Sequence, residues 1–190
     1  MMLYTGKFIG KTLNFTGCSM DYVTQEYVDW LNNPQINRFL ETRFVTQTLD
    51  TVSEYVQNVI KSSNEWLFAA LDGDKHIGNL HLTVYPRHNY CFIGYFIGDA
   101  SNWGHGRSIE INQFSLQFSF EKLGVDRVEG GAYASNIFSI KAMLQAGFIQ
   151  EGIRRKSVIL RDGKRDDSYV LGILREEYDA LNFEKFTEVL

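Results

Sequence analysis

Between Trp66 and Ile97 the chain can do little except form a β-meander. Three runs rich in β-branched and aromatic residues, Trp66–Leu71, Ile77–Tyr85 and Tyr90–Ile97, are separated only by Asp72-Gly73-Asp74 and Arg87-His88-Asn89. Links this short join antiparallel neighbours, because a parallel crossover needs a dozen or more residues. The first turn carries an Asp-Gly pair, a hairpin signal with a backbone reason: glycine accepts positive φ.

On the N-terminal side the apolar period is that of helices. Lys7–Thr16 alternates loosely and reads as one strand. Asp21–Leu31 then reads as a helix with Asp21 as N-cap and Tyr27, Val28, Trp30 and Leu31 on its apolar side. Asn32-Asn33-Pro34 stops it, and Pro34 can start a short helix over Gln35–Leu40. Leu49–Ser62 repeats the helical spacing with Val52, Tyr55, Val56 and Val59.

On the C-terminal side, Glu110–Leu123 has a broad apolar surface built from Ile111, Phe114, Phe118 and Phe120, as expected of a helix packed on a sheet. Arg127–Ala134 reads as a strand and Asn136–Ala146 as a helix closed by Gly147. Phe148–Leu160 and Ser168–Leu174 read as strands around an Asp162-Gly163 turn, and the tail over Arg175–Leu190 as a last helix. The 190 residues show no repeat, low-complexity tract or linker, so one domain spanning 1–190 is expected.

Two stretches carry chemistry. Asn102-Trp-Gly-His-Gly-Arg-Ser108 lies between the third meander strand and the amphipathic helix. A glycine turn that opens a helix exposes backbone N–H groups at the positive end of the helix dipole, where a phosphate can sit. No Lys-Ser/Thr follows, so it is not a Walker loop. A third glycine is missing and the preceding strands are antiparallel, so it is a poor dinucleotide fingerprint. The second stretch is Asn136-Ile-Phe-Ser139 running on to Gly147-Phe148, in which Asn136 is also a natural helix cap.

Both motifs, in this order and about thirty residues apart, resemble those of the GNAT superfamily of acetyl-CoA-dependent N-acetyltransferases. Within it, the chain looks most like the RimJ/RimL-type branch, over roughly residues 10–175. The resemblance implies an α+β GNAT fold: a mixed, mostly antiparallel sheet of six to seven strands flanked by helices, with an acyl-CoA notch between two splayed strands. It implies acetyl-CoA as co-substrate and a primary amine as acceptor, either on a small molecule such as a nucleotide-linked amino sugar or at a protein N-terminus of the ribosomal type. Backbone groups of Phe96 and Ile97 would meet pantetheine. Trp103, Gly104, His105, Gly106, Arg107 and Ser108 would form the pyrophosphate loop, and Asn136 would bond the pantetheine arm. Ser139 would lie by the thioester sulfur and protonate the leaving thiolate. Ser108 stands where the family usually has Gly or Ala, and Trp103 where it usually has Arg or Gln.

The first helices cover the acceptor side in this family. There Asn37, Arg38, Glu41 and Arg43 recur three or four residues apart, near one helical face. Glu41 is the candidate base, and Asn37, Arg38 and Arg43 are candidate substrate contacts, the two arginines suiting phosphate or carboxylate. A charged, solvated helix is the alternative for this stretch. Tyr133 reads as core or rim.

No metal site is expected. His76 and His81 are five apart and would face opposite sides of a strand, and no ligand cluster completes them. A net charge of −4 argues against nucleic acid. Two cysteines, no signal-like start in Met1–Gly10 and no run near the roughly 20 apolar residues of a span point to a soluble cytoplasmic protein. Aromatics in the tail leave a homodimer open. The competing class is a non-catalytic domain that binds acyl-CoA as a sensor or interaction module.

Overall fold

A computed structural model describes residues 3–189. The meander forms as its turns require: β3 (Glu65–Asp72), β4 (Lys75–Tyr85) and β5 (Tyr90–Ile97) pair antiparallel in sequence. They lie inside one open sheet of nine strands, ordered β7-β8-β6-β5-β4-β3-β2-β1-β9. Among the described residues the single parallel contact joins β5 to β6 (Arg127–Tyr133); β7 (Ile149–Ile159) and β8 (Arg165–Leu174) continue beyond it.

The expected six to seven strands become nine for two physical reasons. First, Lys7–Thr16 is a hairpin, β1 (Lys7–Ile9) with β2 (Asn14–Gly17), closed by Gly10 N–H donating to Leu13 O at 3.0 Å. A Cβ on Gly10 would come within 2.3 Å of the Phe186 ring, so this turn needs glycine for lack of room. Second, the tail is helical only in α5 (Arg175–Asp179) and ends as β9 (Thr187–Val189) on β1. Gln117 explains the change. Its buried amide donates to Phe186 O at 3.0 Å and accepts from Phe186 N–H at 2.8 Å, which fixes the tail's backbone in a non-helical path.

Helices cover both faces. On one face α3 (Arg107–Gln117) buries Ile111, Phe114 and Leu116 against Phe8, Phe15, Phe68 and Leu80. Phe15 and Phe114 stack at 4.1 Å between ring centroids. The helix then widens into a π-turn over Phe118–Lys122, with Leu123 N–H reaching Phe118 O. On the other face α1 (Gln25–Asn32) and α2 (Leu49–Lys61) bury Tyr27, Val28, Trp30, Val52 and Val56 against Leu67, Ala69 and Leu71.

The N-terminal helices differ from expectation in detail. Thr24, not Asp21, caps α1, since its hydroxyl accepts from Tyr27 N–H; Asp21 sits in a separate turn capped by Ser19. The segment after Pro34 is not one helix but two tight turns, Asn37–Phe39 and Glu41–Phe44, with Leu40 extended between them. Asn37, Arg38, Glu41 and Arg43 therefore share no helical face. A bulge opposite Ala70/Leu71 pairs Leu71 with His76 and Ala70 with Gly78, so Ile77 is the extra residue. The bulge resets the alternation, and His76 and His81 lie on the same face, against Trp30 and Tyr55 respectively.

Among the described residues, no group of His, Cys, Asp or Glu is arranged to hold a metal ion, and no helix is long and apolar enough to cross a membrane.

Candidate active site

β5 and β6 stay together only from Tyr90–Phe92 against Arg127–Glu129. Past Phe92, β5 keeps its partner β4 and β6 keeps its partner β8, and the two part. The gap leaves one backbone edge of β5 without a strand partner. A cavity of about 620 Å³ fills it and reaches both faces of the sheet. On the α1/α2 face it is walled by Tyr27, Val52, Tyr55, Asn79 and His81; on the other by Tyr95, Asn136, Ser139 and Met143.

The helix α4 (Ile137–Gln145) starts at this gap. Asn136 caps it, its Oδ1 accepting from Ser139 N–H at 3.4 Å, and it also lines the cavity, so cap and wall coincide. Ser139 Oγ is 3.4 Å from Tyr95 Oη, and Tyr95 Oη accepts from the buried Asn112 Nδ2 at 3.2 Å.

The glycine loop leaves the end of β5. Asp99 caps the turn Ala100–Asn102 and is held by Lys75 and by the Ser101 hydroxyl, each at 2.6 Å; these bonds draw its carboxyl down to about 2. Trp103 donates its indole N–H to Ile97 O at 3.0 Å, which folds the loop back on the strand. Gly104 and Gly106 take φ of 80° and 76°, and an added Cβ at either would meet nothing within 4 Å. Glycine is needed here for backbone angle, not for room. His105 is exposed, and Arg107 and Ser108 open α3. The Arg107 guanidinium pairs with Asp72 at 3.0 Å, and its Nε is buried without a partner. An open loop, helix-start amides and the unpaired β5 edge suit a pyrophosphate with an extended arm.

On the acceptor face, Glu41 lines the cavity and its carboxylate accepts the hydroxyl hydrogen of Tyr133. Tyr133 is buried there at the end of β6, and burial, then this carboxylate, push its hydroxyl up from its usual value. The other expected contacts stand apart. Asn37 is buried, donates to Leu31 O at 2.7 Å and accepts from Arg161 at 2.9 Å, so its amide braces the segment after α1. Arg38 is exposed over Phe39. The Arg43 guanidinium is taken up by the carbonyls of Arg38 and Ile159 and lies over Phe44 and Tyr133. Neither Phe96 nor Ile97 sends its side chain toward the loop: Phe96 stacks on Tyr27 and Ile97 enters the core. The sequence does not single out Tyr95, Asn112 or Asn79, and it raises His81 only as a possible metal ligand. For Asn79, His81 and Tyr95 the available signal is the alternation of β4 and β5, which sorts side chains by face; Asn112, on α3, has no such signal.

Residues 21–149 match the family model described as an acetyltransferase (GNAT) domain. The chain belongs to the GNAT acetyltransferase family. It is 33% identical over 130 residues to the probable N-acetyltransferase YjcK of Bacillus subtilis (strain 168), covering 66% of this chain and 70% of that protein. It is 25% identical over 152 residues to the uncharacterized N-acetyltransferase p20 of Bacillus licheniformis, covering 77% and 84%. The fold is shared with the spermidine N-acetyltransferase from Vibrio cholerae, solved with CoA and spermine: TM-score 0.79 at 18% identity, over 89% of this chain and 99% of that one. As a GNAT enzyme the protein is an acetyl-CoA-dependent N-acetyltransferase, and the α+β GNAT fold expected from its two motifs is present.

Proposed function

We propose that this protein, acting as a single domain of the RimJ/RimL-like branch, transfers acetyl from acetyl-CoA to the primary amine of a compact small molecule. One observation carries this reading: the cavity passes through the sheet between β5 and β6. Donor and acceptor enter from opposite faces and meet in the gap, which suits direct attack in a ternary complex and converts a bimolecular step into a positioned one.

The donor lies against residues the motifs picked out. Backbone groups of Phe96 and Ile97 meet pantetheine, and the Trp103–Ser108 loop holds the pyrophosphate through the amides of His105, Gly106, Arg107 and Ser108. Asn136 keeps its Nδ2 for the pantetheine arm while its Oδ1 caps α4. A backbone N–H near Phe96 meets the oxyanion. Ser139 stands where the thiolate leaves and returns a proton to it.

The acceptor face is apolar and aromatic, with Tyr27, Leu31, Val52 and Tyr55 in its wall. Among the described lining residues Glu41 is the sole carboxylate. It draws in one ammonium but leaves the further ammoniums of a polyamine without partners, so a monoamine with an apolar or aromatic body fits better. With Arg43 committed to carbonyls and Arg38 outside the cavity, a nucleotide-linked amino sugar or another anionic acceptor has less support. Enclosure by two helices favours a small molecule over a protein N-terminus.

The test is free-thiol release from acetyl-CoA with a panel of tyramine, an amino sugar nucleotide, spermidine and an Ala-starting peptide. Release with tyramine above the others supports the reading, and preference for spermidine overturns the monoamine assignment. Saturable acetyl-CoA binding without release from any amine would point to the sensor class instead.

A further inference from the structure

The cavity contains a histidine to which neither motif assigns a role. His81 projects from β4 into the α1/α2 side of the cavity. Its Nε2 is out of solvent, without an aligned hydrogen bond, and sits 3.3 Å from Glu65 Oε1 on β3. Its register partner on β5 is Gly94, where an added Cβ would meet nothing within 4 Å, so no side chain screens the imidazole from the gap. A carboxylate, an imidazole and an open reaction gap in that order are the arrangement by which a base is oriented and its cation stabilised.

We propose that His81, oriented by Glu65, takes the proton from the acceptor's ammonium. The assignment rests on the acetyltransferase reading above. Glu65 faces Nε2 and leaves Nδ1 for the incoming proton. The ammonium gives one proton to Nδ1, and the freed nitrogen pair attacks the thioester carbonyl. The N–C bond forms, the C–S bond breaks and its electron pair leaves on sulfur. A second proton from the attacking nitrogen ends on the thiolate by way of Ser139, and His81 releases its proton to water. Acetyl-CoA and the ammonium form of the amine thus give the amide, the thiol and one proton.

The surroundings suit an uncharged base. Burial lowers the His81 pKa below its ordinary value and the Glu65 charge only partly opposes this, so the ring is neutral near pH 7. The other titratable groups facing it are Tyr55 on α2 and, further along the cavity, Tyr27 on α1; burial raises both, so they keep their hydrogens. On this face β5 contributes Phe92, Gly94 and Phe96 to the cavity lining, and Tyr90, at the start of the strand, is not among the lining residues. Glu41, the base expected from the acceptor-side stretch, already receives the Tyr133 hydroxyl and serves better to attract the ammonium.

The experiment is the pH profile of kcat/KM for the best acceptor of the panel, in the parent enzyme, His81→Gln, Glu41→Gln and Glu65→Gln, with acetyl-CoA affinity measured alongside. His81→Gln should lose about 100-fold near pH 7, keep its acetyl-CoA affinity, and recover as pH nears the amine's own pKa. Glu65→Gln should move the acidic limb to lower pH, because the charge that favoured the imidazolium is gone; a purely structural role would leave the limb in place. This second variant decides the matter if His81→Gln fails to fold. An unchanged acidic limb in His81→Gln, or its loss in Glu41→Gln instead, overturns the assignment while leaving the transferase intact. No turnover by the parent enzyme with any amine removes both.

Discussion

The buried amide of Asn112 donates to Tyr95 Oη across 3.2 Å. The same Nδ2 also donates to Ser108 O at 2.7 Å, and only the NH₂ end of an amide can do both, which fixes its orientation. Tyr95 Oη is therefore an acceptor toward α3, and its own hydrogen is free for Ser139 Oγ at 3.4 Å. The three residues form a one-way hydrogen-bond chain ending where the thiolate departs. Tyr95→Phe should lower kcat about 10-fold or more while acetyl-CoA affinity changes little. Asn112→Leu should move kcat the same way by less. Steady-state kinetics on both variants checks this, and equal loss in KM alone would contradict it.

Gly106 separates two effects that glycine substitutions usually mix. Its φ of 76° disfavours any Cβ, yet an added Cβ would meet no atom within 4 Å. Gly106→Ala should cost about 1 kcal/mol of local strain and weaken acetyl-CoA modestly. Gly106→Asp adds a negative charge where the phosphates are to bind, and should weaken acetyl-CoA binding at least about 10-fold more than alanine does. Titration calorimetry on both variants makes the comparison.

Gly94 offers a way to fill the acceptor side without breaking the sheet. It sits in β5 with ordinary strand geometry and open space above it. Valine favours such a position. Gly94→Val should fold with an unchanged melting temperature, bind acetyl-CoA as before and raise KM for the amine. A matching loss of acetyl-CoA affinity would place the effect on the donor side.

Acid should loosen the loop before it melts the core. Asp99 holds its carboxyl at about 2, below the ordinary 3.8, through Lys75 and Ser101. A depressed carboxyl stabilises the fold above its ordinary value, and the contribution is lost as pH falls through the folded value. Asp99→Asn should thus be less stable than the parent near pH 7, with the difference shrinking between about pH 4 and pH 2. Melting temperatures across that range are the readout.

The meander, α2, α4 and the glycine loop were legible because each has a strong local cause: alternation in Tyr90–Ile97, helical spacing in Val52–Val59, an Asn136 cap, and glycines between strand and helix. What the sequence hid lies in contacts between distant parts. The bulge at Ile77 obeys no local signal, yet it decides that His81 shares a face with His76. The turns over Asn37–Phe44 form because Asn37 is pinned by Leu31 and Arg161. The tail's course depends on Gln117, far away on α3. Of the candidate site residues, those chosen by motif gather at the gap or its loop. Of Asn37, Arg38, Glu41 and Arg43, chosen by a helical period that does not form, Glu41 alone belongs to the cavity lining.

β9 has a kinetic consequence. Lys7 pairs with Val189, so the contact that finishes the outer edge of the sheet joins strands from opposite ends of the chain. Closing so wide a loop is entropically slow, and only three residues on each side reward it. That edge should be fastened last during folding and open first under native conditions, well before the gap between β5 and β6 is disturbed. Its amides, rather than those of the meander, are expected to exchange fastest within the sheet.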